Sequence, residues 1–237
     1  MRDEQILRLE EMDSRHWWTI CRQDLVQKIL SQKVGNSETL FEIGAGTGAT
    51  LYALQSLGYK VVALEPTQYG ADSCRKYGIK VHQNTLETLD IWPIDIGVIL
   101  MLDVLEHISN DASALKLIAK HASDKTKLLI TVPADPSLWS KLDDDVFHYR
   151  RYTISDLESV LHSAGWKIDY WRYWLSLLKP VVRFRRKVLK GDFSSETKMP
   201  RKWQNSILRY VVNLEKYLPF NKFFKGTTIL VVASKNS

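Results

Sequence analysis

The sequence has few cysteines, no long apolar run and almost no acid in its last 66 residues. Cys21 and Cys74 are the only two cysteines, far apart and without a CxxC or Cys/His spacing. That excludes a disulfide framework and a structural zinc site, and it suits a reducing, cytoplasmic setting. No stretch reaches the roughly 18–20 apolar residues that a membrane span needs. The opening MRDEQILRLEEMD is acidic, so no secretory signal is expected. Residues 172–237 hold 3 Asp/Glu against 15 Lys/Arg, a net of +12, whereas residues 1–171 hold 24 against 18, a net of −6. An acidic body with a basic tail calls for an anionic partner or substrate.

What is present is an ordinary globular composition, 45% hydrophobic and 25% charged, over 237 residues. That is enough for one well-packed domain and too little for two large ones. Strand-like and helix-like patterns alternate from about residue 22 to 170, the mark of a parallel sheet with crossover helices. Strands are expected at 39–43, 60–64, 80–83, 94–102, 128–132, 167–171 and 228–233. The run IDIGVILML at 94–102 reads as a central strand buried on both faces. Helices are expected at 22–30, 49–57, 71–77 and 112–121. A further helix is expected to begin at Ser155, with Glu158 completing a capping box, and to end at Gly165.

FEIGAGTGAT follows the first strand and opens a helix. Gly44, Gly46 and Gly48 allow a tight turn and close approach of a ligand. Glu65 ends the next strand about 20 residues on, where a carboxylate can accept from ribose hydroxyls. Gly44-Ala45-Gly46-Thr47-Gly48-Ala49 also satisfies the dinucleotide pattern, so a Rossmann-type NAD(P)-dependent oxidoreductase competes on this motif. Glu42, just before the first glycine, suits a cofactor with a cationic amino group better than one with a pyrophosphate. A non-catalytic binding protein on the same fold is a third reading.

LDVLEHISNDASAL at 102–115 resembles the segment after the fourth strand in class I S-adenosylmethionine (SAM)-dependent methyltransferases, especially the group with ubiquinone O-methyltransferases. HWWTICR at 16–22, the segment 130–166 and the tail GTTILVVASK resemble a type 11/12 bacterial and archaeal branch. The resemblance covers almost the whole chain. It implies an α/β, Rossmann-like fold: a seven-stranded, mostly parallel sheet flanked by helices, its last strand antiparallel; the sequence pattern itself places a basic insertion of two amphipathic helices, roughly 175–226, before that strand. Residues 1–34 would be a helical lead-in and lid, 35–171 the SAM-binding core, 172–226 a basic amphipathic cap and 227–237 the final strand. Gly44, Ala45, Gly46 and Gly48 would lie beneath the methionine part of SAM, with Glu42 and Asp103 near its amino-acid end and Arg22 on its carboxylate. Glu65 would hold the ribose, and Asn84, Thr85 and Leu86 would border the adenine. The product would be S-adenosylhomocysteine.

Methyl transfer from a sulfonium is an in-line displacement, helped mainly by alignment and exclusion of water. A hydroxyl acceptor also needs a base, and His is best tuned for that at neutral pH. His107, beyond the fourth strand, is the first candidate and His148 the second. Trp18, Trp139, Tyr149 and Arg150 are expected to border the acceptor. Asp103, Glu106 and His107 would share a helical face and could ligate a divalent ion, although no metal is predicted. The loop 135–152 carries Asp143, Asp144 and Asp145, which read equally well as a solvated turn.

In the basic tail, Trp174, Leu177, Leu178, Val181, Val182 and Val188 recur near helical spacing, with Pro180 starting or kinking that helix. Trp203, Ile207, Tyr210, Val211, Leu214 and Leu218 form a second stripe. Both stripes are expected to face the core. The cations beside them suit an anionic lipid surface, so a small-molecule, glycan or lipid-linked acceptor and a peripheral membrane contact through 172–225 are the expected partners. Nucleic acid ranks lower, since no RNA-binding module is present.

Overall fold

The computed structural model describes residues 10, 12–13, 15–34, 39–188, 198–215 and 224–236. Seven strands form one sheet: β1 (Thr39–Ile43), β2 (Lys60–Leu64), β3 (Lys80–His82), β4 (Ile96–Leu102), β5 (Lys127–Pro133), β6 (Trp166–Trp174) and β7 (Thr228–Lys235). Their order is β3-β2-β1-β4-β5-β7-β6. β1 to β5 are parallel, and β7 runs antiparallel to both neighbours. This is the fold expected above. It differs from the dinucleotide order 3-2-1-4-5-6, which removes the oxidoreductase alternative at the level of topology.

The placement of strands follows their side chains. IGVILML of β4 and KLLITVP of β5 are buried almost throughout and lie at the centre. β3 is short and half-exposed and lies at an edge. Alternate residues feed two cores, one on each side of the sheet. Phe41, Ile99, Met101 and Trp166 enter one; Leu40, Val98, Leu100 and Leu129 enter the other. The helices α1 (Trp17–Ile29), α2 (Ala49–Gln55), α3 (Gln68–Lys76), α4 (Asp111–His121), α5 (Lys141–Asp145) and α6 (Ile154–Ser163) supply the covering layers.

Several boundaries differ from the sequence reading, each for a local reason. α3 begins at Gln68, ahead of Ala71, because the Thr67 side chain accepts from Gly70 N–H and caps it. α6 is capped by Thr153 and Asp156, which form the capping box expected of Ser155 and Glu158; Ser155 lies inside the first turn. β6 runs on to Trp174 because β7 pairs with it along that length. The loop after β5 folds into a 3-10 turn (Pro136–Leu138) and α5.

The cap contributes α7 (Lys179–Lys187), which starts with Pro180 in its first turn, and α8 (Lys202–Leu214). The core-facing stripes need correction. On α8 the packed side is Asn205, Leu208, Val212 and, of the expected stripe, Val211, against α1 and the second core, while Trp203, Ile207, Tyr210 and Leu214 point outward. Near α7, Trp174 and Leu178 are buried, but Leu177, Val181 and Val188 are exposed. Asn205 decides the orientation of α8, since its side chain accepts from Trp17 N–H (2.8 Å) and donates to Arg15 O (2.8 Å). Leu218 lies outside the described residues.

Candidate active site

The strand order reverses between β1 and β4, and open α/β sheets place ligands at the carboxyl ends of such strands. A cavity of about 320 Å³ opens there. Its floor is the glycine loop, Gly44 to Thr47; Asp103, Glu106 and His107 follow β4; Leu142, Val146, His148 and Arg151 come from the segment after β5; Val182 and Arg186 come from α7. His16, Trp17, Trp18 and Arg22 close it from the start of the chain.

Two glycines of the loop hold a left-handed backbone, and one of them is also crowded. Gly44 has φ of 72°, and a Cβ there would lie 2.7 Å from Val104 Cγ2. Gly46 has φ of 57°, and a Cβ there would meet no protein atom within 4 Å, so it would project into space the loop keeps clear. The loop is tied to β2: Glu65 accepts from Gly46 N–H (2.8 Å) through one carboxylate oxygen and from Thr67 N–H (3.0 Å) and Thr67 O–H (2.6 Å) through the other.

Beside the loop, Glu42 is buried, and its Oε2 has no hydrogen-bond partner among the described residues. Burial, opposed by the Arg22 charge and reinforced by Glu65 and Asp13, pushes its carboxyl up to about 8. Arg22 lies 4.5 Å over the Trp18 ring, and its Nη1 donates to Asp103 Oδ2 at 2.9 Å. Asp103 holds a left-handed backbone with φ of 58°, anchored by its N–H on Thr131 O (2.9 Å). An orphaned buried carboxylate, an ion pair and a glycine cradle are the groups that a ligand with ammonium and carboxylate ends requires.

At the other side of the cavity, His148 Nδ1 lies 2.9 Å from Asp143 Oδ1. Asp143 is fully buried; it also accepts from Arg151 Nε (2.9 Å) and from Ser140 N–H (3.0 Å). Burial alone would raise its carboxyl, but the His148 hydrogen bond and the charges of Arg151 and Arg186 outweigh it and hold the group at about 2. An ionised carboxylate only accepts, so Nδ1 is the donor of this pair and Nε2 is left outside it. That Nε2 is 3.8 Å from Glu106 Oε1. Glu106 is fully buried, neither oxygen has a hydrogen-bond partner among the described residues, and burial followed by the Asp103 charge raises it well above the usual carboxylate range. His107 stacks edge-on to His148 with ring centroids 4.7 Å apart, and burial together with His148 lowers it to about 4.

Of the residues expected from the sequence, Trp18, Arg22, Glu42, Gly44, Ala45, Gly46, Asp103, His107 and His148 line this cavity. Gly48, Glu65, Asn84, Thr85 and Leu86 do not; Gly48 caps α2 in a left-handed conformation, and Asn84 and Thr85 bond locally to Thr88. Trp139, Tyr149 and Arg150 also lie off it. Trp139 Nε1 donates to Asp144, the Tyr149 side chain is exposed, and Arg150 pairs with Asp111 (2.6 Å). Arg151, one residue on, takes the inward place. The metal-ligating cluster changes as well. Donor atoms of Glu106, His107 and His148 lie within 4.8 Å of one another, whereas Asp103 turns to Arg22.

The sequence reading ranked His107 above His148 and did not single out Asp143. The signal for Asp143 was Ser140-x-x-Asp143, a capping-box spacing that folds the third residue of a helix back on its own start. Arg186 was not singled out either, because its inward direction, 3.7 Å from Asp143, depends on α7 lying against the turn after β5.

The fold and cavity define a class I SAM-dependent methyltransferase. The chain belongs to the methyltransferase-domain family, which residues 17–170 match. No curated protein gives a significant match. Among solved structures, a chain of the complex between the Haloferax volcanii Trm112 methyltransferase activator and its methyltransferase aligns over 99% of this chain and 96% of its own, at 14% identity and a TM-score of 0.63. A Thermotoga maritima SAM-dependent methyltransferase, named with histamine N-methylation in view, aligns over 99% and 100% at 16% identity and 0.62. A Bacillus halodurans methyltransferase aligns over 90% and 99% at 16% and 0.61. At these identities the likeness is one of fold.

Proposed function

We propose that the enzyme methylates a hydroxyl oxygen, with His148 as the general base and Asp143 as the group that orients it. The observation that carries this reading is the 2.9 Å contact between His148 Nδ1 and Asp143, which leaves Nε2 as the proton acceptor beside the cavity. SAM supplies an electrophilic methyl group on a sulfonium. Glu42 would hold its ammonium, Arg22 its carboxylate, and Gly44, Ala45, Gly46 and Gly48 would carry the methionine part. Glu65 would take the ribose, and Asn84, Thr85 and Leu86 the adenine. Trp18 and Val182 exclude water from one side, and Leu142 and Val146 from another. His148 accepts the hydroxyl proton as the oxygen becomes a nucleophile, and the charge it gains is balanced by Asp143. Glu106, held neutral by burial, can donate a hydrogen bond to the acceptor. Trp139, Tyr149 and Arg150 would act only at the outer rim. The acceptor is a small, glycan or lipid-linked alcohol.

The test is incubation with methyl-labelled SAM and extracts of lipid and polysaccharide, followed by mild base. Label that survives base and is then released as methyl iodide by hydriodic acid marks ethers and supports the reading; label released by base as methanol marks carboxyl esters, and label that survives both marks N- or C-methylation, and either overturns it. The cluster of Glu106, His107 and His148 favours one second reading, a divalent cation that acidifies the hydroxyl. Activity abolished by a chelator and restored by a divalent metal would establish that route in place of the base.

A further inference from the structure

The outward faces of the cap helices take no part in the chemistry of the cavity. Val181, Phe184 and the C-cap residue Val188 share one face of α7 at spacings of three and four, and Leu177, in the turn before the helix, lies four residues ahead of Val181. They are between 39% and 60% exposed. Arg183 lies on one flank of that face beside Lys187, whose Nζ donates to Trp139 O (3.1 Å), and the opposite side, through Val182 and Arg186, is a wall of the cavity. α8 repeats the pattern. Trp203, Ile207, Tyr210 and Leu214 are spaced four, three and four apart and are between 40% and 64% exposed, with Lys202 and Arg209 on a flank. Its opposite side is filled by Val212 and Leu208 against the core, so packing among the described residues does not account for the outward stripe.

We propose that α7 and α8 dock the enzyme on an anionic membrane surface. Trp and Tyr present an apolar ring with a polar tip, the form favoured at the headgroup level. The aliphatic residues of the stripe would enter the acyl boundary, while Lys and Arg on the flanks meet lipid phosphates. The net of +12 over residues 172–237 supplies the charge complementarity. A nucleic-acid backbone would engage the cations but leave both apolar stripes in water; an anionic bilayer takes both. Because α7 is also a wall of the cavity, docking holds the acceptor site within one helix diameter, about 10 Å, of the headgroups. The inference is independent of which atom is methylated.

The test is co-sedimentation of the full chain with vesicles of phosphatidylcholine alone and of phosphatidylcholine mixed with phosphatidylglycerol, at low and high salt. The mixed vesicles are expected to bind the protein at least about tenfold better, and salt to weaken that binding. Val181→Ser with Phe184→Ser, and Ile207→Ser with Tyr210→Ser, should each lose about tenfold while SAM titration is unchanged. Lys202→Glu with Arg209→Glu changes only the water-facing flank and carries the test if an apolar variant misfolds. Equal binding to both vesicle types, binding to neither, or variants that bind as the parent does overturns the proposal. So does a dimer in light scattering, or an oligouridylate complex, that the same variants abolish.

Discussion

Half-buried His148 and fully buried Asp143 form an imidazole–carboxylate pair at 2.9 Å, on a stretch of chain that begins with a capping box and ends on Arg151. His148→Asn keeps a hydrogen bond to Asp143 but removes the proton acceptor. Its kcat should fall by about 10²–10⁴ with little change in SAM affinity, because the residues proposed for the amino-acid end of SAM, Glu42 and Arg22, are not partners of His148. Single-turnover rates on an identified acceptor, beside calorimetric SAM titration, check this. A kcat close to that of the parent would rule His148 out as the base.

Asp143 is also a structural anion, since Arg151 is buried with it. Asp143→Asn strands that guanidinium and should cost about 3–5 kcal/mol. The native carboxyl sits at about 2 against an ordinary 3.8, so its stabilisation is present above about pH 4 and is lost as pH falls to about 2. The gap in urea midpoint between parent and variant should therefore be constant from neutral pH to about 4 and narrow below it. A gap that stays constant to pH 2 would mean that Asp143 is not held ionised by its partners.

Glu42 behaves in the opposite sense. Its carboxyl is raised to about 8, so its proton stays on through neutral pH in the free protein, and the stability tied to that neutral form is lost as pH rises from about 4.5 toward 8. A cationic amino group is held by the carboxylate only once the proton leaves. Affinity for S-adenosylhomocysteine should rise close to tenfold per pH unit between about pH 5.5 and 7.5, with release of about one proton. Glu42→Gln should match the parent at the low end of that range and fall behind as pH rises. Calorimetry in buffers of different ionisation enthalpy measures the proton directly, and no release at pH 6.5 would remove Glu42 from the ammonium site.

His107 should stay neutral far below its ordinary range, because burial and the neighbouring His148 bring it to about 4. Its contribution to stability is complete above about pH 6.5 and declines as pH falls toward 4, where the unfolded chain takes up the proton first. Imidazole resonances followed by NMR should show one ring unchanged from pH 8 to about 5, and that ring should disappear in His107→Asn. A midpoint near 6.5 for that ring would restore His107 as a candidate base.

The strands and the glycine loop were legible in the sequence because each rests on a local pattern. The buried run of β4 and the turn at Gly44 to Gly48 need no knowledge of distant residues. Sheet order and the antiparallel β7 came through resemblance, since no local pattern encodes them. The site was legible where a residue follows directly from a strand end, as Glu42 and Asp103 do. It was not legible where direction depends on a helix docking elsewhere. Arg186 points inward only because α7 lies against the turn after β5, and Arg151 rather than Arg150 turns in because Asp143 is there to receive it. The same limit misdirected the stripe of α8. Trp203, Ile207, Tyr210 and Leu214 are the more regular apolar row, yet Val212 and Asn205 took the packed side by bonding and packing against α1.

That reversal on α8 makes a stability prediction that separates the two faces. Val212 is buried in the second core, so Val212→Ala removes two methyl groups from a packed core and should cost about 2 kcal/mol. Trp203→Ser and Ile207→Ser change exposed side chains and should stay within about 0.5 kcal/mol of the parent, despite the far larger loss of apolar surface at Trp203. Urea midpoints at constant m-value decide between the faces. If Trp203→Ser were the more damaging change, the outward row would be the packed one, the orientation of α8 would be wrong, and the membrane-docking face would have to be reassigned with it.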